Sequence, residues 1–214
     1  MAQTNFVKNK IGDHVYRNVS YTPPATVYLG LYSVKPALDG TGGTELVTGS
    51  SPGYARVAVS FNAWANGNSD NSAQVDFPAN SGGSNWVEAV AWGIFDASSA
   101  GNLLNTDFFI APNTRTPFTA VASTDIFTAF GQSLANGDKV VLKATAGLPT
   151  GVSADTIYFI VGVSGQTFQL SLTSGGAAIN ITTDGDGEIM KVVTHVVAPA
   201  GNLKINAGDL DILL

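Results

Sequence analysis

The spacing of apolar residues constrains this chain most. It is helical up to Pro23-Pro24 and period-two almost everywhere after it. Val7, Ile11, Val15 and Val19 recur at i, i+4 and predict one short helix with an apolar stripe, for which Thr4 or Asn5 suits the N-cap. Past the prolines, Thr26 to Ser33 puts Val27, Leu29 and Leu31 on one face and Tyr28 and Tyr32 on the other. Tyr54 to Phe61 predicts Ala55, Val57, Val59 and Phe61 inward, with Arg56 and Ser60 outward. Further short runs follow at Gln74 to Phe77, Val87 to Phe95 and Leu103 to Ile110, between turn signals such as Asn66-Gly67-Asn68 and Asn80-Ser-Gly-Gly83. No strand–helix–strand alternation appears, which argues against a doubly wound fold. The pattern predicts an all-β protein: an antiparallel sandwich or jelly-roll-like domain carrying a short N-terminal helix.

Between about Ala120 and Val196 the texture changes. Strand-like stretches at Thr156 to Val163, Thr167 to Leu172 and Ala177 to Thr182 are joined by short turns, and Asp184-Gly-Asp-Gly187 reads as a tight turn. This predicts a small β-barrel or sandwich module. The tail, with Leu203, Ile205, Leu210, Ile212 and Leu214, regains the earlier alternation. The expected organisation is a discontinuous domain of residues 1–119 plus 197–214, with residues 120–196 inserted in one of its surface loops.

Charge and composition remove several classes of function. Ten basic residues are scattered through a chain of net charge −6, so the clustered cations that grip nucleic acid are missing. No cysteine exists to form a disulfide, a thiolate zinc site or a nucleophile. The first residues lack a signal-peptide pattern, and no apolar run nears the roughly 20 residues of a membrane span, so a soluble, non-exported protein is expected. Charged residues make up 12%, about half the usual share, which suits a surface of Ser, Thr and Asn or one covered by partners.

Candidate chemistry is sparse. His14 and His195 are the two histidines, and no Gly-x-Ser-x-Gly elbow supports a triad around either. Asp184, Asp186 and Glu188 gather three carboxylates in five residues but fail the EF-hand spacing, and whether they hold an ion stays open. Paired carboxylates for glycoside cleavage would need a long aromatic-lined groove, and there are three tryptophans. Neither Gly40 to Gly43 nor Gly82-Gly83 opens onto a helix, so both are loops. No cofactor is expected. Contact surfaces are better candidates: the Val7, Ile11, Val15, Val19 stripe, docked on its own sheet or on a neighbouring subunit; Trp64 and Trp86, beside turns; and Tyr28 and Tyr32, on one strand face that is either interior or a contact surface.

Several short motifs, in order, resemble small phage proteins commonly labelled tail fibre proteins. They are Asp13-His14 with Arg17, Thr22-Pro-Pro-Ala-Thr-Val-Tyr-Leu-Gly-Leu-Tyr32, Gly43-Thr-Glu45, Gly53-Tyr-Ala-Arg56, Asn71-Ser-Ala73 leading to Phe77-Pro78, Trp92-Gly-Ile-Phe-Asp96, Gly101-Asn-Leu-Leu104 and Ile205-Asn-Ala-Gly-Asp-Leu-Asp-Ile-Leu213. The resemblance covers residues 1–119 and 197–214. The stretch between is similar to β modules of phage and bacterial surface proteins, around Leu134-Ala-Asn-Gly-Asp138 and Thr167-Phe-Gln-Leu170. The resemblance implies a non-enzymatic structural protein of a tailed-phage virion. It would contact other virion proteins and copies of itself, as a trimer by analogy, in a tail fibre or as capsid-surface decoration. The alternative is a receptor-binding module that reads a host surface glycan.

Overall fold

The computed structural model describes residues 2–213, so Leu214, expected to end the last alternating run, lies outside the described residues. In chain order the first elements are β1 (Ala2–Gln3), α1 (Asn5–Arg17), β2 (Val27–Val34), β3 (Thr44–Glu45), β4 (Val57–Val59), β5 (Asn68–Asp70), β6 (Val75–Asp76), β7 (Ala91–Phe95) and β8 (Leu103–Phe108). Six strands follow: β9 (Thr116–Val121), β10 (Ile126–Thr128), β11 (Lys139–Ala144), β12 (Tyr158–Ser164), β13 (Thr167–Ser171) and β14 (Gly185–Lys191). The last are β15 (Lys204–Ile205) and β16 (Asp211–Leu213). The chain forms two compact units: Met1–Phe109 with Thr194–Leu214, and Ile110–Val193.

The first unit is built on an antiparallel sheet ordered β1-β8-β7-β2-β3, with β4 also paired to β2. Register places Leu29 beside Ile94 and Leu31 beside Trp92, so the apolar alternation of both strands falls on one face. Opposite that face are two small ladders, β6 with β15 and β5 with β16, rather than a second continuous sheet. Val75, Ile205 and Ile212 from these ladders, with Leu203 and Leu210 just before their last strands, share one core with Leu29, Leu31, Trp92 and Ile94. Each fully buried aliphatic side chain there contributes about 1.5–3 kcal/mol relative to exposure. The last residues pair with early strands, Ile205 with Val75 and Ile212 with Ser69, so the final segment completes the first core.

Two buried asparagines tie that segment down. Asn71, fully buried, donates to the carbonyls of Ala73 and Asn206 (both 2.8 Å) and accepts from Leu210 N (2.9 Å). Asn80 donates to Ser84 and Val197 carbonyls at 2.8 and 3.0 Å and accepts from Gly82 N at 2.9 Å. A buried amide pays off only when its donors and acceptor are all used, and here both are used fully. Asn66-Gly67 forms the expected tight turn: both residues have positive φ, 53° and 77°, and Ala65 and Asn68 exchange backbone hydrogen bonds across it.

The second unit is a closed antiparallel barrel in the order β10-β13-β12-β11-β14-β9. Its interior is filled by alternate residues of successive strands: Phe118 and Ala120, Phe127, Val140 and Leu142, Tyr158 and Ile160, Phe168 and Leu170, and Ile189. Two expectations fail here. Asp184-Gly-Asp-Gly187 is not a turn; from Gly185 onward it is the start of β14. A Cβ at Gly187 would come within 2.3 Å of the Lys143 carbonyl oxygen, so the glycine allows close strand approach, not reversal. Residues 177–182 are not a strand either. They run irregularly, held by Ile179 N to Leu170 O and Ile181 N to Asp125 Oδ1, while Ile181 fills the barrel core. The division between units falls at 110 and 193, not at 120 and 196. Phe118 already faces the barrel core, and His195 already exchanges two backbone hydrogen bonds with Ala89 in the first unit.

Candidate assembly surface

The motifs that carry the phage resemblance converge on one polar knot in the first unit. Arg56 Nε and Nη2 donate to the two carboxylate oxygens of Glu45, both at 2.7 Å, and Nη1 donates to the carbonyls of Ala97 and Ala100. The guanidinium lies 3.2 Å from the centroid of the Phe95 ring. This fork geometry, with a stacked aromatic face, is what arginine supplies and lysine cannot. Tyr54 donates to Glu45 Oε1 at 3.0 Å and accepts from Leu31 N at 2.9 Å. Burial, reinforced by the Glu45 charge, pushes the Tyr54 phenol well up, and the same two causes lift Tyr32 to about 12. Asp96 closes the adjacent turn by accepting from Asn102 N and Nδ2. Arg56 therefore points inward, with its side chain 9% exposed, against the outward position predicted for it. Period-two reasoning fails because Tyr54 to Arg56 precedes the strand, where alternation has no sheet to enforce it. The knot positions loops and has no vacant hydrogen-bonding fork to offer a ligand.

The predicted contact residues separate into two groups. Tyr32 and Trp86 are 7% and 3% exposed, so neither lines a surface of this unit. Tyr32 stacks on Phe95, and Trp86 donates through Nε1 to the Pro52 carbonyl. Tyr28 is half-buried beside Phe95 and Ala58 in register. Trp64 is exposed, at 47%, beside the Asn66-Gly67 turn.

The helix is the main exposed apolar element. Thr4 stands at its N-cap position but makes no side-chain cap; its hydroxyl donates instead to the Leu103 carbonyl at 2.6 Å, and Asn5 N donates to Leu38 O. The first bond pins the start of α1 to β8 and the second to the loop between β2 and β3. Exposure then rises along the stripe, from half-buried Val7 to 42% at Ile11 and 61% at Val15, and no described residue of α1 is buried. Asn18 ends the helix with φ 55°, and Val19 beyond it is 45% exposed. Its own sheet does not cover this stripe. Sequence periodicity missed Tyr16, 87% exposed on α1 off its i, i+4 stripe, and Phe130 and Leu172, 75% and 64% exposed just past the ends of β10 and β13, where no sheet fixes which way a side chain turns.

The remaining candidates take ordinary partners. Asp184 accepts from Ala122 N, Asp186 from Ala146 N, and Glu188 pairs with Arg115 at 3.0 Å, so each carboxylate of that trio is directed to a different neighbour. Among the described residues no group of three or more histidines and carboxylates is disposed to hold a metal. His14 contacts the Val19 carbonyl at the exposed end of α1, and His195 lies edge-on to Phe109 with ring centroids 4.6 Å apart.

A family model for the podophage GP4 fiber I protein gp80 matches residues 2–129, more than half of the chain. The chain belongs to that family. It is a structural protein of a bacteriophage virion, of the tail-fibre type, and the early motifs of the knot, from Gly43-Thr-Glu45 to Gly101-Asn-Leu-Leu104, lie within the family match. The match continues past Phe109 through β9 and β10 and stops before β11. No curated protein matches the chain.

Proposed function

We propose that this fiber I family member acts without catalysis, as an assembly protein whose working surface is α1. One observation carries the reading: an apolar stripe from Ile11 to Val15 becomes more exposed with distance from its anchor, although the sheet that holds that anchor has an apolar core of its own. An exposed helical stripe of this kind loses free energy to water unless a partner covers it. Placement within a tail fibre fits the family name better than decoration of a capsid surface. The barrel reads as a module inserted into the first unit, since the chain leaves at Phe109 and returns at His195, whose rings touch. The test is particle assembly with Val15→Asp, a change at a residue 61% exposed, with a thermal melt matching the unaltered chain as the check on its fold. Particles lacking the variant protein are expected; normal incorporation contradicts the reading.

A second reading rests on Trp64, 47% exposed next to the Asn66-Gly67 turn in an asparagine-rich stretch, since an exposed indole among amide-bearing residues suits a sugar ring. Glycan binding lost on Trp64→Ala supports it. Unchanged glycan binding by that variant removes it.

A further inference from the structure

Resting on the assembly reading, we propose that the partner of α1 is a second copy of this chain, whose acidic body receives the helix as a projecting basic arm. The charge distribution identifies the occupant. Residues 5–17 hold three of the chain's ten Lys and Arg (Lys8, Lys10 and Arg17) but one acid, Asp13, a local net charge of +2. The other seven cations and fifteen acids give the rest of the chain −8. Arg17 is engaged with Asp13 at 2.8 Å within the helix, while Lys8 and Lys10 are exposed beside the stripe. A basic segment on an acidic body is self-complementary between copies, and opposite potentials both steer encounter and fix orientation.

Size argues that the helix lies against a folded body rather than against another α1. Ile11, Val15 and their neighbours span about three helical turns, and two such stripes facing each other cover far less than the ~800 Å² per partner of a stable interface. An arm laid on a neighbour's surface adds the flanking polar contacts that a helix pair lacks. The contact is then heterologous, arm to body, and a closed ring of copies satisfies every arm and every receiving surface.

Sedimentation velocity of the full chain over a wide concentration range tests this at low and high salt. The expected result is reversible association that weakens as salt rises. Val15→Asp and the double change Lys8→Glu, Lys10→Glu should each weaken it about tenfold or more, with thermal melts matching the unaltered chain. A chain that stays monomeric throughout, or association indifferent to both variants, overturns the second-copy assignment. Association that responds to Val15→Asp but not to salt or the lysine changes also overturns it, because charge then does not select the partner. The assembly reading is judged separately. A monomeric chain whose Val15→Asp form is still excluded from particles retains α1 as an assembly face and assigns it to another virion protein.

Discussion

The barrel and the sheet unit build cores of the same character by different routes. The barrel draws all six strands from one stretch, Ile110–Val193, and half of its ladders join strands adjacent in sequence: β9 with β10, β11 with β12 and β12 with β13. The sheet unit closes only when its last residues arrive. Leu210 N reaches Asn71 Oδ1 across 139 residues, and Val197 O receives Asn80 Nδ2 across 117. Local pairing closes short loops first, whereas the distant segment must be ordered before its contacts reward it. The barrel is therefore self-sufficient in its contacts, and the sheet unit is contingent on residues synthesised after the barrel.

The sharpest way to break that contrast is truncation after Val193. It removes Val197, Leu203, Ile205, Leu210 and Ile212 from the sheet-unit core and leaves every barrel core residue in place. The sheet unit should lose its cooperative transition while barrel amides keep their hydrogen-exchange protection; survival of both transitions would show that the tail is dispensable. Point changes sharpen the comparison. Arg56→Ala leaves Glu45 with a part-buried, uncompensated charge and should cost the sheet unit about 3–5 kcal/mol in denaturant titration. Leu142→Ala should cost the barrel about 2–5 kcal/mol, and each variant should shift one transition and spare the other.

The smallest effect concerns acidity. Burial lowers the His195 pKa below 6.5 in the folded chain. Both states are neutral above that value. As pH falls through it, the unfolded chain takes up the proton more readily, so stability drops on acidification. Melting temperatures of the native chain should fall more between pH 7.5 and 5.5 than those of His195→Phe, and only in the sheet-unit transition.

Much of this architecture was legible in the residues, and the exceptions share a cause. Alternation in Leu29-Leu31 and Phe168-Leu170 identified core faces because a sheet holds each of those residues in period two, and Leu203-Ile205 keeps the same phase into β15. It misjudged Arg56, just before a strand, and residues 177–182, which pair only sporadically. Glycine-rich Asp184 to Gly187 resembled a turn because composition cannot tell a glycine needed for positive φ from one needed for close approach. Of the contact candidates, the helix stripe and Trp64 are exposed, while Trp86 and Tyr32 are not. Proximity to a turn says nothing about which side of the chain an indole takes. The Glu45–Arg56–Phe95 knot was spread over three motifs about 11 to 40 residues apart, and only the fold brings them together.

The most direct test replaces Ile110–Val193 by a short flexible linker joining Phe109 to Thr194, which is feasible because Phe109 and His195 already touch. A cooperative melt with hydrogen-exchange protection at Leu31, Trp92 and Ile205 is the predicted result. A chain without a cooperative transition would contradict the claim that the two ends of the sequence form one unit independently of the barrel.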